Sequence, residues 1–283
     1  MPEFHTGVFS VVGQDLSAQT FTFGSPQGQA PCMLVLSNAT VGPLQLYDGA
    51  PVPNSVIADV VIQGNCTIAG GAPHNYEIAD QLNFFLAPNA TLTNPGYVST
   101  AGPELGATVN VTGGHSTTLV NNGEIDAVHG GWAVLDTKIT GTGVLDIAKN
   151  INISPMVDPK FSALYVGDSV GAGQTVDFSG FATNLTPETL LEGKPTQFQG
   201  SIGNFSQYDT VALSKTHATS ESFQPHAGGA DLLLWSGRNL AADLHFNGNY
   251  AAGNFAVTDS GPNAYVSFDP TGSSHHIIGV ASH

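Results

Sequence analysis

Acidic side chains at alternating positions of short extended runs are the residues of this chain best suited to chemistry. The aspartates that stand out are Asp126, Asp136 and Asp146, with Glu124, Lys138 and Lys149 nearby in the sequence. If the runs stack as strands, their carboxylates should lie in rows on one outer face. Two carboxyl groups about 6.5–9.5 Å apart can act as acid and base in inverting glycoside hydrolysis. These aspartates are therefore the catalytic candidates of one hypothesis, a polysaccharide hydrolase or lyase.

A plainer interpretation of the same aspartates is favoured, namely that they cover the solvated face of a sheet. A lyase also needs positive charge to neutralise an acidic sugar, and the chain has only 6 Lys and Arg residues. Calcium would be the alternative source of that charge, but the chain has no GGxGxD calcium repeat, only the fragment Gly228–Asp231. We therefore predict no catalytic residue, no cofactor and no metal site, and keep the enzyme as the alternative.

Histidine and phenylalanine supply the remaining candidates. His275 and His276 are adjacent, so they should point to opposite sides of a strand rather than share a metal ion. Six phenylalanines suit stacking on carbohydrate rings, but stacking inside a core is the favoured interpretation. They are Phe84, Phe85, Phe198, Phe205, Phe246 and Phe255.

The charge balance excludes several classes of partner. Acids outnumber bases 22 to 6, which gives a formal net charge of −16, and charged residues make up only 10% of the chain. Such a chain should repel nucleic acid and anionic membrane. The sequence shows no signal peptide and no apolar run near the roughly 18 residues needed for membrane insertion. Its acidic, lysine-poor composition favours a secreted or cell-surface bacterial protein.

An eight-residue phrase returns five times in the first half of the chain. TLTNPGYV at 91–98 and TLVNNGEI at 118–125 align without a gap, and KITGTGVL at 138–145 keeps their shape. VIQGNCTI at 61–68 and LVLSNATV at 34–41 follow more loosely, so the copies start 27, 30, 27 and 20 residues apart. A period of about 20–30 residues is typical of a coiled solenoid in which each copy is one turn.

The phrase also predicts how each turn bends. Its second and eighth positions are apolar and should point inward, its fourth holds Asn, Gly or Ser at a bend, and its sixth is small. Asn and Gly tolerate left-handed backbone angles, and a small residue lets stacked turns approach closely. Stacked Asn side chains should pair with one another and with the backbone at this corner. Cys32 and Cys66 are interpreted as small buried residues, with a disulfide left open.

Short alternating runs bounded by Gly, Asn or Ser continue along the chain, and helical periodicity is nearly absent. We therefore predict an all-β fold, specifically a right-handed parallel β-helix, or β-solenoid. Residues 1–30 should form N-terminal cap strands, and 31–268 should form the parallel coil, with an excursion near 181–197. Residues 269–283 should form a C-terminal tail.

Several phrases occur in an order that resembles one group of proteins. They are ITGTGVLDI at 139–147, GQTVDFSG at 173–180, FQGSIGNFSQYDTVAL at 198–213 and LHFNGNYAAGNFAVTDSGPNAYVSF at 244–268. The phrases resemble repeats of the autotransporter-passenger and haemagglutinin-like β-solenoid surface proteins of α-proteobacteria, over roughly residues 30–270. The resemblance implies an exported right-handed parallel β-helix that works in adhesion, biofilm or surface structure.

These observations favour a structural or adhesive module over an enzyme. Flat faces rich in Thr and Asn should contact polysaccharide or cell-surface glycans, and the free ends of the coil should permit self-association. The enzyme hypothesis instead requires a groove with two close carboxylates or a bound calcium ion. An ice-binding solenoid is a third hypothesis, which the uneven spacing of the copies disfavours.

Overall fold

The computed structural model describes residues 3–4, 7–23, 32–46, 57–69, 81–99, 108–127, 132–147, 162–179, 188–273 and 278–279. This part of the chain is 65% strand and 3% helix, which confirms the predicted all-β class. Its only helices are two three-residue 3-10 helices, Pro195–Gln197 and Ala252–Asn254, and neither is long enough to cross a membrane.

The strands are numbered in chain order. Those of the first half are β1 (Glu3–Phe4), β2 (Gly7–Val12), β3 (Asp15–Leu16), β4 (Phe21–Phe23), β5 (Cys32–Ser37), β6 (Thr40–Val41), β7 (Leu44–Leu46), β8 (Ile57–Gln63), β9 (Asn65–Ile68), β10 (Gln81–Leu86), β11 (Thr91–Asn94), β12 (Tyr97–Ser99), β13 (Thr108–Asn121) and β14 (Glu124–Ala127). Those of the second half are β15 (Trp132–Thr140), β16 (Val144–Ile147), β17 (Ser162–Val166), β18 (Thr175–Phe178), β19 (Glu188–Glu192), β20 (Ser201–Gly203), β21 (Thr210–Leu213), β22 (Ser220–His226), β23 (Gly229–Ser236), β24 (Asn239–Asn247), β25 (Phe255–Ser260), β26 (Asn263–Phe268) and β27 (Ile278–Gly279).

Most strands pair in parallel with the strand one turn before and the strand one turn after. A 16-stranded sheet runs β2-β5-β8-β10-β13-β15-β17-β19-β21 and ends in β26, β25 and β27. An 8-stranded sheet runs β12-β14-β16-β18-β20-β24-β23-β22, and β1, β4 and β7 form a third sheet. Successive turns thus add strands to the same sheets, an arrangement consistent with a β-solenoid.

The pairing register confirms the alignment of the three clearest copies of the repeat. Thr91 pairs with Thr118, and Thr118 pairs with Lys138, as the phrases predict. The apolar second positions Leu119 and Ile139 are buried in the core, which confirms that they point inward.

The looser copy at 61–68 aligns differently from the prediction. Cys66 pairs with Leu92, whereas the phrases place it opposite Gly96. The copy at 61–68 contains a bend at Gly64. The residues after this bend, Asn65–Thr67, pair with the first three residues of the copy at 91–98. Cys66 is a buried free thiol, as the interpretation of a small buried residue predicts.

Amide side chains stack at the predicted corner between the two larger sheets. Asn94 Nδ2 donates to Asn121 Oδ1 at 2.9 Å, and Asn121 Nδ2 donates to Gln174 Oε1 at 3.0 Å. Gln174 Nε2 in turn donates to the carbonyls of Asn121 and Thr140 at 2.8 and 3.0 Å. All three amides are buried, so this amide ladder satisfies polar groups that water does not reach.

Small residues at the sixth position let the turns stack at the same corner. A Cβ atom on Gly123 would lie 1.7 Å from the carbonyl oxygen of Gly96, and one on Gly143 would lie 2.3 Å from the carbonyl oxygen of Gly123. The backbones of successive turns are therefore in direct contact at these glycines. Only glycine fits at these two positions, where the phrase predicts a small residue.

The strands after Ser220 depart from the predicted parallel coil, which the sequence analysis extends to residue 268. β22, β23 and β24 pair antiparallel, as do β25 and β26. Each of these hairpins turns through two residues that include a glycine with positive φ, namely Gly228, Gly237 or Gly261. Two-residue turns of this kind match the twist of antiparallel strands. At the other end, residues 7–23 form a parallel turn, because β2 pairs with β5 and β4 with β7.

Aromatic packing fills the end of the core where the antiparallel strands begin. Phe205 lies within 5.1–6.3 Å, between ring centroids, of Phe178, Phe246, Phe255 and Phe268. Five of the six predicted phenylalanines are buried in the core. Ring contacts confirm internal stacking for three of them, Phe205, Phe246 and Phe255. Phe85 is the exception, because it lies on the outside of the 16-stranded sheet with 42% of its surface exposed.

Candidate functional site

The outward-facing side chains of β8, β10, β13, β15 and β17 form a surface that combines amide, carboxylate and aromatic groups. Inward positions of these strands, such as Val60, Phe84 and Leu135, are buried in the core. Alternation along each strand therefore turns the intervening residues to the outside. We call this surface the outer face; it comprises Asp59, Phe85, Asn83, Asn110, Thr112, Trp132, Asp136 and Tyr165.

A row of polar side chains crosses the outer face at right angles to the strands. Asn83 Nδ2 donates to Asp59 Oδ1 at 2.9 Å, and Asn110 Nδ2 donates to Asn83 Oδ1 at 2.7 Å. The three residues are directly opposite one another in β8, β10 and β13, so they repeat at the strand spacing of about 4.8 Å. This row presents a fixed series of donors and acceptors to solvent.

Exposed aromatic rings flank the polar row on both sides. Trp132 is 45% exposed and lies two residues before Val134, which is opposite Asn110. Phe85 is two residues beyond Asn83 on the other side of the row. Strand geometry places the two aromatic residues about 16 Å apart across the face. Aromatic side chains are enriched at binding surfaces.

A charged cluster lies at the margin of the outer face, where the chain bends. We call it the corner cluster; it consists of His115 in β13, Asp168 after β17 and Lys194 after β19. His115 Nδ1 is hydrogen-bonded to Asp168 Oδ2, and Lys194 Nζ donates to Asp168 Oδ1 at 2.9 Å. Lys194 Nζ also lies 2.6 Å from His115 Nδ1. The imidazole is 73% exposed, whereas the carboxylate beneath it is buried.

The corner cluster controls the ionisation of Asp168. Burial by itself raises the pKa of this carboxyl, but hydrogen bonds from His115, Lys194 and the backbone N–H of Ser169 outweigh burial and lower the pKa to about 2. Asp168 is therefore a carboxylate at neutral pH. Asp136 lies next to the cluster, because a Cβ atom on Gly167 would come within 2.4 Å of its Oδ1.

Glu192 lies beneath the corner cluster with no access to solvent. Its Oε1 accepts a hydrogen bond of 2.7 Å from the backbone N–H of Lys194, and its Oε2 has no hydrogen-bond partner. Burial raises the pKa of Glu192 to about 8, although the bond from Lys194 opposes that effect. Glu192 is thus protonated at neutral pH.

A second pair of buried carboxyls lies at the opposite end of β19. Glu188 precedes Leu190 by two residues just as Asp209 precedes Val211, and Leu190 pairs with Val211, so the carboxyls occupy equivalent places in adjacent turns. Burial, and then the negative charge of Asp209, raise the pKa of Glu188 to about 9. Burial raises the pKa of Asp209 to about 7 against two hydrogen bonds from Ser206. Glu188 and Asp209 are enclosed in the fold, where a polymer could not reach them.

The structure brings together two of the three predicted catalytic aspartates. Asp126 and Asp146 are directly opposite each other in β14 and β16, on the 8-stranded sheet, and Asp177 follows in β18. Asp136 lies on the 16-stranded sheet, so the three aspartates do not form one site. Carboxylate oxygens of Glu124, Asp126 and Asp146 lie within 4.8 Å of one another, an all-oxygen set of the type that suits calcium, but Asp126 and Asp146 are buried.

Sequence reasoning did not identify the outer face or the corner cluster. His115, Asp168 and Lys194 are 53 and 26 residues apart in sequence and meet only because the turns stack. A usable signal was present for the face, since Asn83 and Asn110 are one 27-residue period apart. Comparison of the chain with protein-family models, with curated proteins and with solved structures finds no match.

Proposed function

We propose that the chain is an exported, right-handed β-solenoid that binds polysaccharide on its outer face without cleaving it. The observation that carries the proposal is the pair of exposed rings, Phe85 and Trp132, on either side of the Asp59–Asn83–Asn110 row. The right-handed sense is supported by the strong preference of parallel crossover connections for that hand.

The chemistry of the outer face fits a sugar polymer. An aromatic ring offers a flat apolar surface to the axial C–H groups of a sugar, and such contacts need no charge. Amide groups both donate to and accept from hydroxyls, and carboxylates accept from them; a sugar presents such hydroxyls around its rim. The net charge of −16 favours a neutral polysaccharide over an acidic one.

Binding without turnover is supported by the position of the carboxyls. The three described carboxyls with strongly raised pKa values, Glu188, Glu192 and Asp209, are all buried. On the outer face, Asp59 is held in the polar row and Asp136 lies against the backbone of Gly167. In the part of the chain that the structure describes, no hydrogen bond joins either of them to a second carboxyl.

The proposal is tested with a panel of neutral and acidic polysaccharides, by measuring both retention and the release of reducing or unsaturated ends. We expect retention of neutral polymers with no release of ends. Trp132→Ala and Phe85→Ala should each weaken binding about tenfold, equivalent to about 1.4 kcal/mol. Tyr208→Ala removes an aromatic residue of similar exposure outside the outer face, so it should leave binding unchanged.

Two results would overturn the proposal. Equal binding by wild type, Trp132→Ala and Phe85→Ala would place the ligand elsewhere. Release of oligosaccharides would make the chain an enzyme, and loss of that release in Asp136→Asn would locate the reaction on the outer face.

A further inference from the structure

The hairpins at the C-terminal end carry two histidines and two aspartates on one outward surface. His226 ends β22, Asp231 lies in β23, and Asp243 and His245 lie in β24. Asp231 is directly opposite His245, and Asp243 is opposite Leu233, two residues further along β23. The neighbouring residues Leu232 and Leu244 are buried, so alternation turns the polar side chains outward. We call this group the histidine–aspartate cluster.

Ligand atoms of Asp231, Asp243 and His245 all lie within 4.8 Å of one another, and His226 lies beside Asp231. His245 Nδ1 lies 2.7 Å from Asp231 Oδ1 and 3.9 Å from Asp243 Oδ1, and His226 Nε2 lies 3.3 Å from Asp231 Oδ1. Ligands that bind zinc tetrahedrally at about 2.0–2.1 Å are about 3.3 Å from one another. The His245–Asp231 and His245–Asp243 separations lie on both sides of that value, so these three residues fit one ion after small side-chain rotations. His226 would turn toward the ion from its place beside Asp231 as the fourth ligand.

One carboxylate oxygen of the cluster lacks a hydrogen-bond donor. Asp243 Oδ1 is shielded from solvent and has no hydrogen-bond partner, although the Asp243 side chain as a whole is 38% exposed. A buried carboxylate oxygen without a donor is costly, and a cation would satisfy it. The four side chains are 26–47% exposed, so an ion could enter from solvent.

We propose that His226, Asp231, Asp243 and His245 form a binding site for a divalent transition-metal ion, with zinc as the ion that suits the ligands best. Two imidazole nitrogens and two carboxylate oxygens match zinc, whereas calcium takes oxygen ligands. Two carboxylates and two neutral imidazoles also balance the charge of a divalent ion. The bound metal would join β22, β23 and β24, and so fasten the hairpins that close one end of the fold.

This site is independent of the proposed glycan-binding face, because it lies on the 8-stranded sheet. It also differs from the metal possibilities raised by the sequence, which were calcium and the tail histidines. The test therefore uses a background in which His275 and His276 are both replaced by alanine, so that the tail cannot contribute imidazoles.

Isothermal titration calorimetry of the metal-stripped protein with ZnCl2 gives the stoichiometry and affinity. We expect one ion per chain. Asp243→Asn keeps the shape of the side chain but removes its charge, and it should weaken zinc binding at least about tenfold; His245→Ala should do the same. His217→Ala is the matched control, because His217 pairs with Asp259 at 3.3 Å on another part of the surface, and it should bind zinc like the background.

Thermal unfolding supplies a second readout. Zinc should raise the melting temperature of the background and of His217→Ala, but not that of Asp243→Asn, whereas CaCl2 should raise none of them. Unchanged zinc affinity in Asp243→Asn and His245→Ala would overturn the proposal, as would the absence of binding at one ion per chain. Equal stabilisation by calcium that Asp243→Asn also abolishes would show that the histidines are not ligands.

Discussion

Removal of Asn121 tests whether the amide ladder holds the turns together. This side chain accepts from Asn94 Nδ2 and donates to Gln174 Oε1 and to the carbonyl oxygen of Val144. Three hydrogen bonds contribute about 0.5–1.5 kcal/mol each, and leaving buried Gln174 Oε1 without a donor adds about 1–3 kcal/mol. We therefore expect Asn121→Ala to lower the free energy of unfolding by about 2.5–7.5 kcal/mol.

Urea unfolding followed by circular dichroism measures this loss, and Asn122→Ala is its matched control. Asn122 is the next residue and is exposed, and its Oδ1 accepts one hydrogen bond of 3.3 Å from the Thr142 N–H. Its loss should lower the free energy of unfolding by about 0.5 kcal/mol or less. A loss below about 1 kcal/mol for Asn121→Ala, or similar losses for both variants, would refute the reasoning.

Three further predictions concern pH and packing. Burial raises the pKa of Glu188 to about 9 and of Asp209 to about 7, above their ordinary values of 4.5 and 3.8. The stability that the two protonated carboxyls contribute is therefore fully present below about pH 4 and is lost as the pH rises through 7 and then 9. Glu188→Gln should make the free energy of unfolding fall less steeply between pH 5 and 9, as measured by urea titration at each pH. Gly123→Ala should lower the free energy of unfolding by at least about 3 kcal/mol, because its Cβ would collide with the backbone of Gly96. Gly171→Ala is the control: the nearest atom to its Cβ would be 3.4 Å away, so the loss in the same urea titration should be at most about 1 kcal/mol. Phe205→Ala should lower the free energy of unfolding by about 3–5 kcal/mol, measured by thermal unfolding, because the Phe205 ring is buried among four other rings.

The corner of each turn could be predicted from the sequence, because the residue types that this corner needs recur in the repeated phrase. Asn121 and Gly123 show this, since an amide that stacks and a glycine that admits backbone must recur at fixed places in every turn. The alignment of Cys66 failed because a period alone does not say whether a phrase lies before or after a bend. Parallel strands are predicted after Ser220, although Gly228, Gly237 and Gly261 are ordinary hairpin signals.

The candidate sites were harder to predict, because their residues come from different turns. Trp132 and Phe85 belong to separate strands whose relative position depends on the length of the segments between them. The same holds for Asp168 and Lys194 in the corner cluster. Alternation along a strand predicts which side chains point outward. Which of them become neighbours depends on the register between strands, and the sequence of one chain predicts that register only where the repeat is strict.

The constant register of the strands contrasts with the variable length of the turns that join them. Thr118 and its partner Lys138 are 20 residues apart, whereas Val144 and its partner Thr175 are 31 residues apart. Length changes between strands are therefore compatible with the ladder, but a single residue inserted between Thr118 and Asn121 would shift Asn121 out of line with Asn94 and Gln174. In a family of such chains, insertions and deletions should accumulate between the strands and be absent within them. The same property makes the turns natural positions for grafting foreign peptides onto a scaffold whose surface spacing is set by the strands.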